Sequence, residues 1–504
     1  MASRVLGLLR EQVLLIHFGA RDLMDAYNVA FRLPNLVRDL FAEGAMSAAF
    51  VPTFTRELQQ NGKEAAWELG RIVISGLVVV TGLISLLAIV FAGPLTRWIA
   101  PEYAKVPGKL ELTTTLTQVM FPFLVLVAVA AACMGMLNAR RRFFIPAFAP
   151  AMFNVCSILS VFTLVPAMTA IGWHPMVGLA LGTIVGGLAQ VLVQWPALRR
   201  DGFRFGFTFA PRDPRFREVV GLMVPGTVGL AAVQVNQLVN VYLATSAGTG
   251  AVTYLGFAFR LMYLPIGLFG VSIATAVLPS IARHAVADDR AAIRGDVSQA
   301  LRMMLMLNVP ATFGLIVLAA PIVELLVQYR QVTATDTLGM AAALMGYAPG
   351  LVGYSAVKIA SPTFYALKDS RTPVIVSVLS ILINIVLNLT LVRVMSYPGL
   401  ALGTGLAALF NATTLFWLLR RRLGGLDDRR VLMSLTKIVA AAAWGVEHGL
   451  SIAWPSDHAL ARMVRVALAV GTGLVTLAVS ARLLRLEEFG TAFGKVTARL
   501  LRRR

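Results

Sequence analysis

Arg4, Arg10, Glu11, Asp25, Arg32, Arg38, Asp39, Glu43, Arg260 and Lys358 interrupt stretches that are otherwise apolar. An Arg or Lys at the centre of a bilayer costs roughly 2.5–3.5 kcal/mol on insertion scales. Such groups therefore face protein or a water-filled cavity, not lipid. The plainer reading is that they pair off and fix helix packing: Glu11 with the neighbours of Arg10, Asp39 with Arg38 or a loop arginine, Glu43 capping a broken helix near Gly44. The cations gather around the first two helices and again at Arg260, which favours a shared cavity. A guanidinium is a planar fork that matches carboxylate or phosphate oxygens in pairs, and bonds to a charged acceptor are stronger than neutral ones. The chemistry expected is recognition of a large or charged anion. In "FRLPNLVRDLFAEGAMSAAFVP" (31–52), Pro34 and Gly44 should break the helix and expose backbone amides. That is tolerable in a membrane only where the backbone lines a cavity or is buried in protein.

The elements that would hold these residues are membrane helices. Of 504 residues, 58% are hydrophobic and 14% charged, and the mean hydropathy is +0.75. Soluble chains carry about 25% charged residues. Apolar runs near membrane length fall at 3–19, 23–53, 71–93, 112–138, 147–167, 174–197, 217–243, 251–279, 301–326, 337–363, 373–395, 398–419, 432–454 and 461–481, about fourteen helices. The net charge of +20 does not indicate nucleic acid. With the N-terminus inside, loops on one side hold most of the Lys and Arg, which is the positive-inside pattern. "ARRRF" (139–143), "LRRRL" (419–423) and "RLLRRR" (499–504) read as cytoplasmic anchors, with a secondary attraction to anionic lipid. "MASRVLGLLREQVLLIHFGA" carries Arg10 and Glu11 where a signal peptide would be apolar, so it reads as a short first membrane helix, not a cleaved leader. Cys133 and Cys156 fall in helices and read as small apolar fillers; no disulfide framework or metal site is indicated.

The chain repeats itself. "FRLPNLVRDLF" from Phe31 matches "FRLMYLPIGLF" from Phe259, and "NARRRFFIPAF" (138–148) aligns with "YALKDSRTPVI" (365–375). "GLALGT" occurs at 178–183 and again at 399–404. The offset drifts from about 228 to about 221. The expected architecture is therefore all-α and polytopic: an N-terminal lobe over 1–215, a C-terminal lobe over 216–425, and a two-helix appendix with a basic tail over 426–504. Repeats of about six helices are parallel, related by a pseudo-two-fold along the membrane normal. Such folds place substrate between the halves and work by alternating access. The duplication makes Arg32 and Arg260 equivalent.

"SRVLGLLRE" (3–11), "DAYNVAFRLPNLVRDLFAEGAMSAAFVPTF" (25–54), "YLGFAFRLMYLPIGLFGVSIATAVLPSIARH" (254–284) and "FYALKDSRTPV" (364–374) resemble the MurJ (MviN) family, lipid II flippases within the MOP exporter superfamily. The resemblance covers nearly the whole chain. It implies a bacterial inner-membrane protein of peptidoglycan synthesis with cytoplasmic termini. Its cargo would be undecaprenyl-diphosphate carrying a disaccharide-pentapeptide, and cell-wall synthesis proteins are candidate partners. It implies diphosphate-binding roles for Arg4, Arg10, Arg38 and Arg260, supported by Arg32, with Asp25 and Glu43 ordering the arginines. It implies a lipid-tail groove at the two extra helices. No cofactor is implied; drive would come from membrane potential or an ion. Asn240, Asn384 and Asn388 are candidates for the sodium site of some members, against ordinary interhelical hydrogen bonding, since Asn240 stands where a carboxylate is often seen. The chain also departs from the family in lacking about a dozen residues before SRVLG, which implies a truncated first helix or a misassigned start. Glu11 stands where the family has Asp, and Phe259 where an Asp can occur.

Three alternatives are weighed. Another MOP-type exporter of lipid-linked oligosaccharide or drugs would not need the "PNLVRDLFAEGA" block. A membrane glycosyltransferase acting on the same lipid would need a carboxylate or metal group at a membrane face. No such spacing is present, the five histidines are scattered, and no phosphate-binding G-x-x-x-x-G-K-[ST] loop occurs. A scaffold without transport leaves the buried arginines unexplained.

Overall fold

The computed structural model describes residues 2–40, 46–450 and 459–483, which are helical with short connections and no strand. The chain forms two compact units, Met1–Thr253 and Tyr254–Arg504. The first holds α1 (Ala2–Phe18), α2 (Asp22–Arg38), α3 (Met46–Gln60), α4 (Gly62–Val90), α5 (Ala92–Ile99), α6 (Lys109–Met120), α7 (Phe123–Ala139), α8 (Phe144–Phe162), α9 (Leu164–Ala170), α10 (Pro175–Arg200), α11 (Pro214–Ser246) and the first turn of α12 (Ala251–Pro265). The second holds the rest of α12, then α13 (Val271–Val286), α14 (Arg290–Val317), α15 (Ala319–Val327), α16 (Ala334–Tyr347), α17 (Gly350–Ala366), α18 (Arg371–Met395), α19 (Tyr397–Leu423), α20 (Asp428–Leu450) and α21 (Ala459–Leu483).

Among the described residues, the apolar runs read from the sequence fall on these helices, several of them on two helices in succession; 41–45 of the run 23–53 and 451–454 of the run 432–454 lie outside the described residues. Among the described residues, eight spans are long and apolar enough to cross a membrane, or nine if α16 and α17, bent by 41°, count as one. The helices that fall short carry the charges. α1 and α2 are 17 residues each and contain Arg10, Glu11, Asp22, Asp25, Arg32 and Arg38. Other helices expose apolar faces. On α18, Ile375, Val378, Leu382, Val386 and Leu389 are all exposed at helical spacing. That inverts the pattern of a soluble surface helix and marks a face turned to lipid.

The duplication reappears as a duplication of helix breaks. α4 stops at Phe91 and α14 at Leu318, 227 residues on. Pro94 and Pro321 follow these stops at the same distance. α6 and α7 part before Pro122, and α16 and α17 at Pro349, again 227 apart. Proline has no N–H to donate and its ring crowds the carbonyl four residues back, so it ends or bends a helix. Pro34 is the exception: α2 runs through it to Arg38, so the break expected at Pro34 does not occur there. The helix loosens later, into a wider i→i+5 turn at Asp39–Leu40, and α3 starts at Met46; Gly44 lies outside the described residues. The second half has the same wide turn at Ile266–Gly270.

The repeated "GLALGT" is a packing seam. A Cβ on Gly178 would meet Leu164 O at 2.6 Å, and one on Gly399 would meet Leu391 O at 2.4 Å. Gly182 and Gly403 sit equally close to Ser160 and Asn388. Small residues four apart let helix backbones approach, which drives association where lipid removes the hydrophobic contrast. Each half thus clamps its last helix, α10 or α19, onto the one before. The core of unit 1 is an aromatic ladder, Phe50–Phe54–Trp67–Phe203, with ring centroids 5.3–5.6 Å apart.

Candidate functional site

Arg10 lies in the middle of α1 with 6% of its surface exposed, and Glu11 with 2%. Consecutive residues on a helix point about 100° apart, so they meet sideways: Nη2 to Oε2 is 3.4 Å. Aromatic faces hold the rest of the guanidinium, 5.2 Å from the Phe153 centroid and 5.9 Å from that of Phe31. Phe31 of α2, Phe123 of α7 and Phe153 of α8 pack on one another, and Tyr27 stacks on Phe31. A ring face attracts a cation electrostatically, more strongly when water is excluded. The arginine is thus lodged between aromatic faces inside apolar helices. The sequence reading missed this aromatic box, because a Phe among many apolar residues carries no distinguishing spacing.

Arg38 closes α2. Its Nε and Nη2 both donate to Asp39 Oδ1, at 3.0 and 2.7 Å. These side chains are 29% and 22% exposed, so the pair is only half-buried. The pairing read from adjacency is present. Arg32 is half-buried on α2, and Arg260 half-buried on α12 in the second unit. Beside Arg260, Phe259 sits among Tyr263, Tyr347 and Tyr354, at centroid distances of 5.4–6.1 Å. Arg4 lies on α1 with its side chain outside the described atoms, and Glu43 lies outside the described residues.

Asp25 is placed differently from expectation. It was expected to order the arginines. It is fully buried, and its carboxylate accepts from Lys109 Nζ (3.1 Å), Gly250 N (2.7 Å), Thr253 N (3.1 Å) and Thr253 Oγ1 (2.8 Å). Thirteen residues of continuous helix separate Asp25 from Arg38, roughly 20 Å at 1.5 Å per residue. They work at different depths. The other missed residue is Lys109. It falls before the apolar run at 112–138 and reads as a loop lysine, yet it is 4% exposed. It bridges Asp25 and Asp22 (2.8 Å), with the face of Tyr103 over it at 4.0 Å. Burial first, then the negative charges of Asp25 and Asp22, push the Tyr103 phenol well above its ordinary pKa.

Asn384 and Asn388 face α19. Asn384 Nδ2 donates to Thr404 Oγ1 (3.3 Å), Asn388 Nδ2 donates to Asn384 Oδ1 (3.4 Å), and Asn388 presses on Gly403. This is the interhelical bonding weighed against a sodium site. Asn240 sits half-buried on α11 of the first unit. The basic loops are partly paired within the chain: Arg142 with Asp201 (2.7 Å), Arg420 with Asp428 (2.8 Å), Arg422 with Asp369, and Arg421 over Trp417 at 3.6 Å. In unit 2, α14, α20 and α21 enclose an apolar groove of about 330 Å³, lined by Met306, Pro310, Gly314, Ala441, Val470 and Leu474 among others.

Unit 1 thus holds a buried arginine, Arg10, among aromatic rings, and unit 2 holds an apolar groove. The family model described as "Lipid II flippase MurJ" matches residues 16–467. A probable lipid II flippase MurJ of Bdellovibrio bacteriovorus is 34% identical over 88% of this chain and 84% of that protein. The lipid II flippase MurJ of Burkholderia cenocepacia is 33% identical over 84% and 82%. The fold is that of a solved lipid II flippase MurJ in an inward closed conformation, with TM-score 0.80 and 24% identity, covering 96% of this chain and 97% of that one. An inward-facing multidrug MATE transporter of the MOP superfamily shares it at TM-score 0.68 and 14% identity, over 84% and 96%. By sequence match over most of its length, the chain belongs to the MurJ family.

Proposed function

We propose that this chain is a lipid II flippase. It carries the undecaprenyl-diphosphate-linked peptidoglycan precursor from the cytoplasmic to the periplasmic leaflet of the inner membrane, by alternating access and without altering it chemically. The observation that carries the reading is Arg10, a charged side chain kept inside membrane helices by an aromatic box. Arg38, Arg260, Arg4 and Arg32 complete the diphosphate site. Arg38 rests on its own neighbour Asp39 at a half-buried position. A diphosphate offers more oxygens than one carboxylate and displaces that pairing, because bidentate guanidinium–phosphate bonds are stronger. The polyprenyl tail stays in lipid and runs along the groove beside α20 and α21. Both termini face the cytoplasm, in accord with the loop charge. Membrane potential or an ion supplies the drive.

The test replaces the resident flippase of a Gram-negative host with this chain. A periplasmic toxin that cleaves flipped lipid II then reports transport. The expected result is cleavage with the parent chain and none with well-expressed Arg38→Ala or Arg260→Ala. Undiminished cleavage in those variants would remove the arginine site. No cleavage with a well-expressed parent would remove lipid II as cargo.

A further inference from the structure

Three helix starts converge in one corner of the first unit: α2 at Asp22, α6 at Lys109 and α12 at Ala251. Each helix start is a positive dipole end with unsatisfied N–H groups. Lys109 adds a full positive charge. Two carboxylates answer this concentration of charge. Asp22, in the first turn of α2, takes Lys109 at 2.8 Å. Asp25 takes Lys109 at 3.1 Å and also caps α12, accepting from Gly250 N, Thr253 N and Thr253 Oγ1. Asn28, one turn further along α2, donates to Thr253 Oγ1 at 3.1 Å. Lys109, Asp25 and Thr253 are all less than 5% exposed, and the Tyr103 ring closes over the ammonium. A lysine on a surface loop would extend to water instead.

The second unit has a counterpart. Asp336 stands 227 residues after Lys109, the spacing of the repeat, and likewise opens its helix, α16. It accepts from Tyr254 Oη at 2.6 Å, and Tyr254 follows Thr253 directly on α12. Repeat-equivalent residues of opposite charge therefore each hold the start of α12, one through Asp25 and Thr253, the other through Tyr254. α12 carries Arg260 two turns further on.

We infer that Lys109 is a positioning residue for transport: it fixes the Asp25 carboxylate against the first turn of α12 and so fastens the start of the Arg260 helix to α2 and α6. The inference rests on the transport reading above. Lys109 touches no cargo. It acts by holding the Asp25 carboxylate aimed, so that the α2–α12 joint stays shut until the cycle opens it.

The experiment reads the joint directly. In a chain with Cys133→Ala and Cys156→Ala, Ala251→Cys places a thiol at a fully buried position beside the joint. Labelling by a membrane-impermeant maleimide is timed on intact cells and on inside-out vesicles, so that the outcome does not depend on orientation. Lys109→Met should raise the labelling rate several-fold on one side of the membrane, and Lys109→Arg should return it close to the parent rate. Thr253→Val, which removes the hydroxyl's bonds to Asp25 and Asn28 and no charge, should give a smaller rise on the same side and guards against misfolding of the lysine variant. Unchanged labelling in inserted Lys109→Met and Thr253→Val would overturn the inference. So would a Lys109→Arg chain that labels like Lys109→Met. The toxin assay on the parent is read separately: its failure beside this labelling pattern would remove lipid II as cargo and leave the joint standing.

Discussion

The corner built on Lys109 and the corner built on Asp336 occupy the same place in the two repeats and are held by different physics. In the first, a buried ammonium sits between two carboxylates, one of them fully buried and bonded to the backbone of α12. In the second, Asp336 Oδ2 accepts from Thr333 N and Oγ1 in a capping box, and Oδ1 accepts from the Tyr254 phenol. Charge meets charge in one; charge meets neutral donors in the other. A buried pair is strongly destabilised when one member is lost, because the other is stranded without water. A carboxylate served by neutral donors has no opposite charge to strand. The duplication preserved the geometry of the corner and allowed its chemistry to diverge, which gives the two ends of the α12 anchor unequal strength.

The widest gap between the corners should appear on removing the charges. Lys109→Met is expected to destabilise the purified protein by about 3–5 kcal/mol, as for other broken buried pairs. Asp336→Asn still offers Tyr254 an acceptor and should lose only about 1–2 kcal/mol, the worth of one or two bonds. Melting in detergent ranks them, and an equal or larger loss for Asp336→Asn would refute the contrast. Adding Asp25→Asn to Lys109→Met should recover part of the loss, a coupling that a double-mutant cycle reads.

Where the two halves use the same physics, they should respond alike. Gly178→Ala and Gly399→Ala drive a Cβ into backbone, at 2.6 and 2.4 Å. Each should cost about 1–3 kcal/mol, the range for overpacking. Gly403→Ala meets the tip of the Asn388 side chain at 2.2 Å. That tip can turn away, so this loss should be smaller than for Gly399→Ala in the same melting series.

A finer test concerns how Tyr103 serves Lys109. Its ring lies over the ammonium and its hydroxyl has no hydrogen-bond partner among the described residues. Tyr103→Phe should be neutral or slightly stabilising, and Tyr103→Leu should lose about 0.5–2 kcal/mol of cation–π attraction. A substantial loss for Tyr103→Phe would mean the hydroxyl matters.

The smallest effect lies at the charged loops. Bonds from the Thr372 backbone, and less so Arg422, hold Asp369 below its ordinary value of 3.8. A side-chain bond from Arg215 does the same for Asp213. A depressed folded pKa gives stability that is complete above about pH 4 and lost as pH falls through the folded value. Asp369→Asn should flatten the pH dependence of melting below pH 4 and lower the melting temperature slightly at pH 7, where the contribution of the ionised carboxylate is complete.

Much of this was legible in the chain. Apolar runs located the helices because lipid demands continuous apolar length. The repeat was legible because its letters recur, and Arg10, Glu11, Arg32, Arg38 and Arg260 stood out because charge is rare in such runs. Arg38 was one of two partners open to Asp39 in the sequence, and it is the one Asp39 meets. What the sequence could not decide was which distant groups meet. Asp25 finds Lys109 84 residues away and Thr253 228 residues away, and Arg10 finds Phe153 on α8. Such pairs leave no periodic mark. Only the packing of α2 against α6 and the first turn of α12, and of α1 against α8, brings them within bonding distance, and burial there turns an ordinary loop lysine into a structural charge.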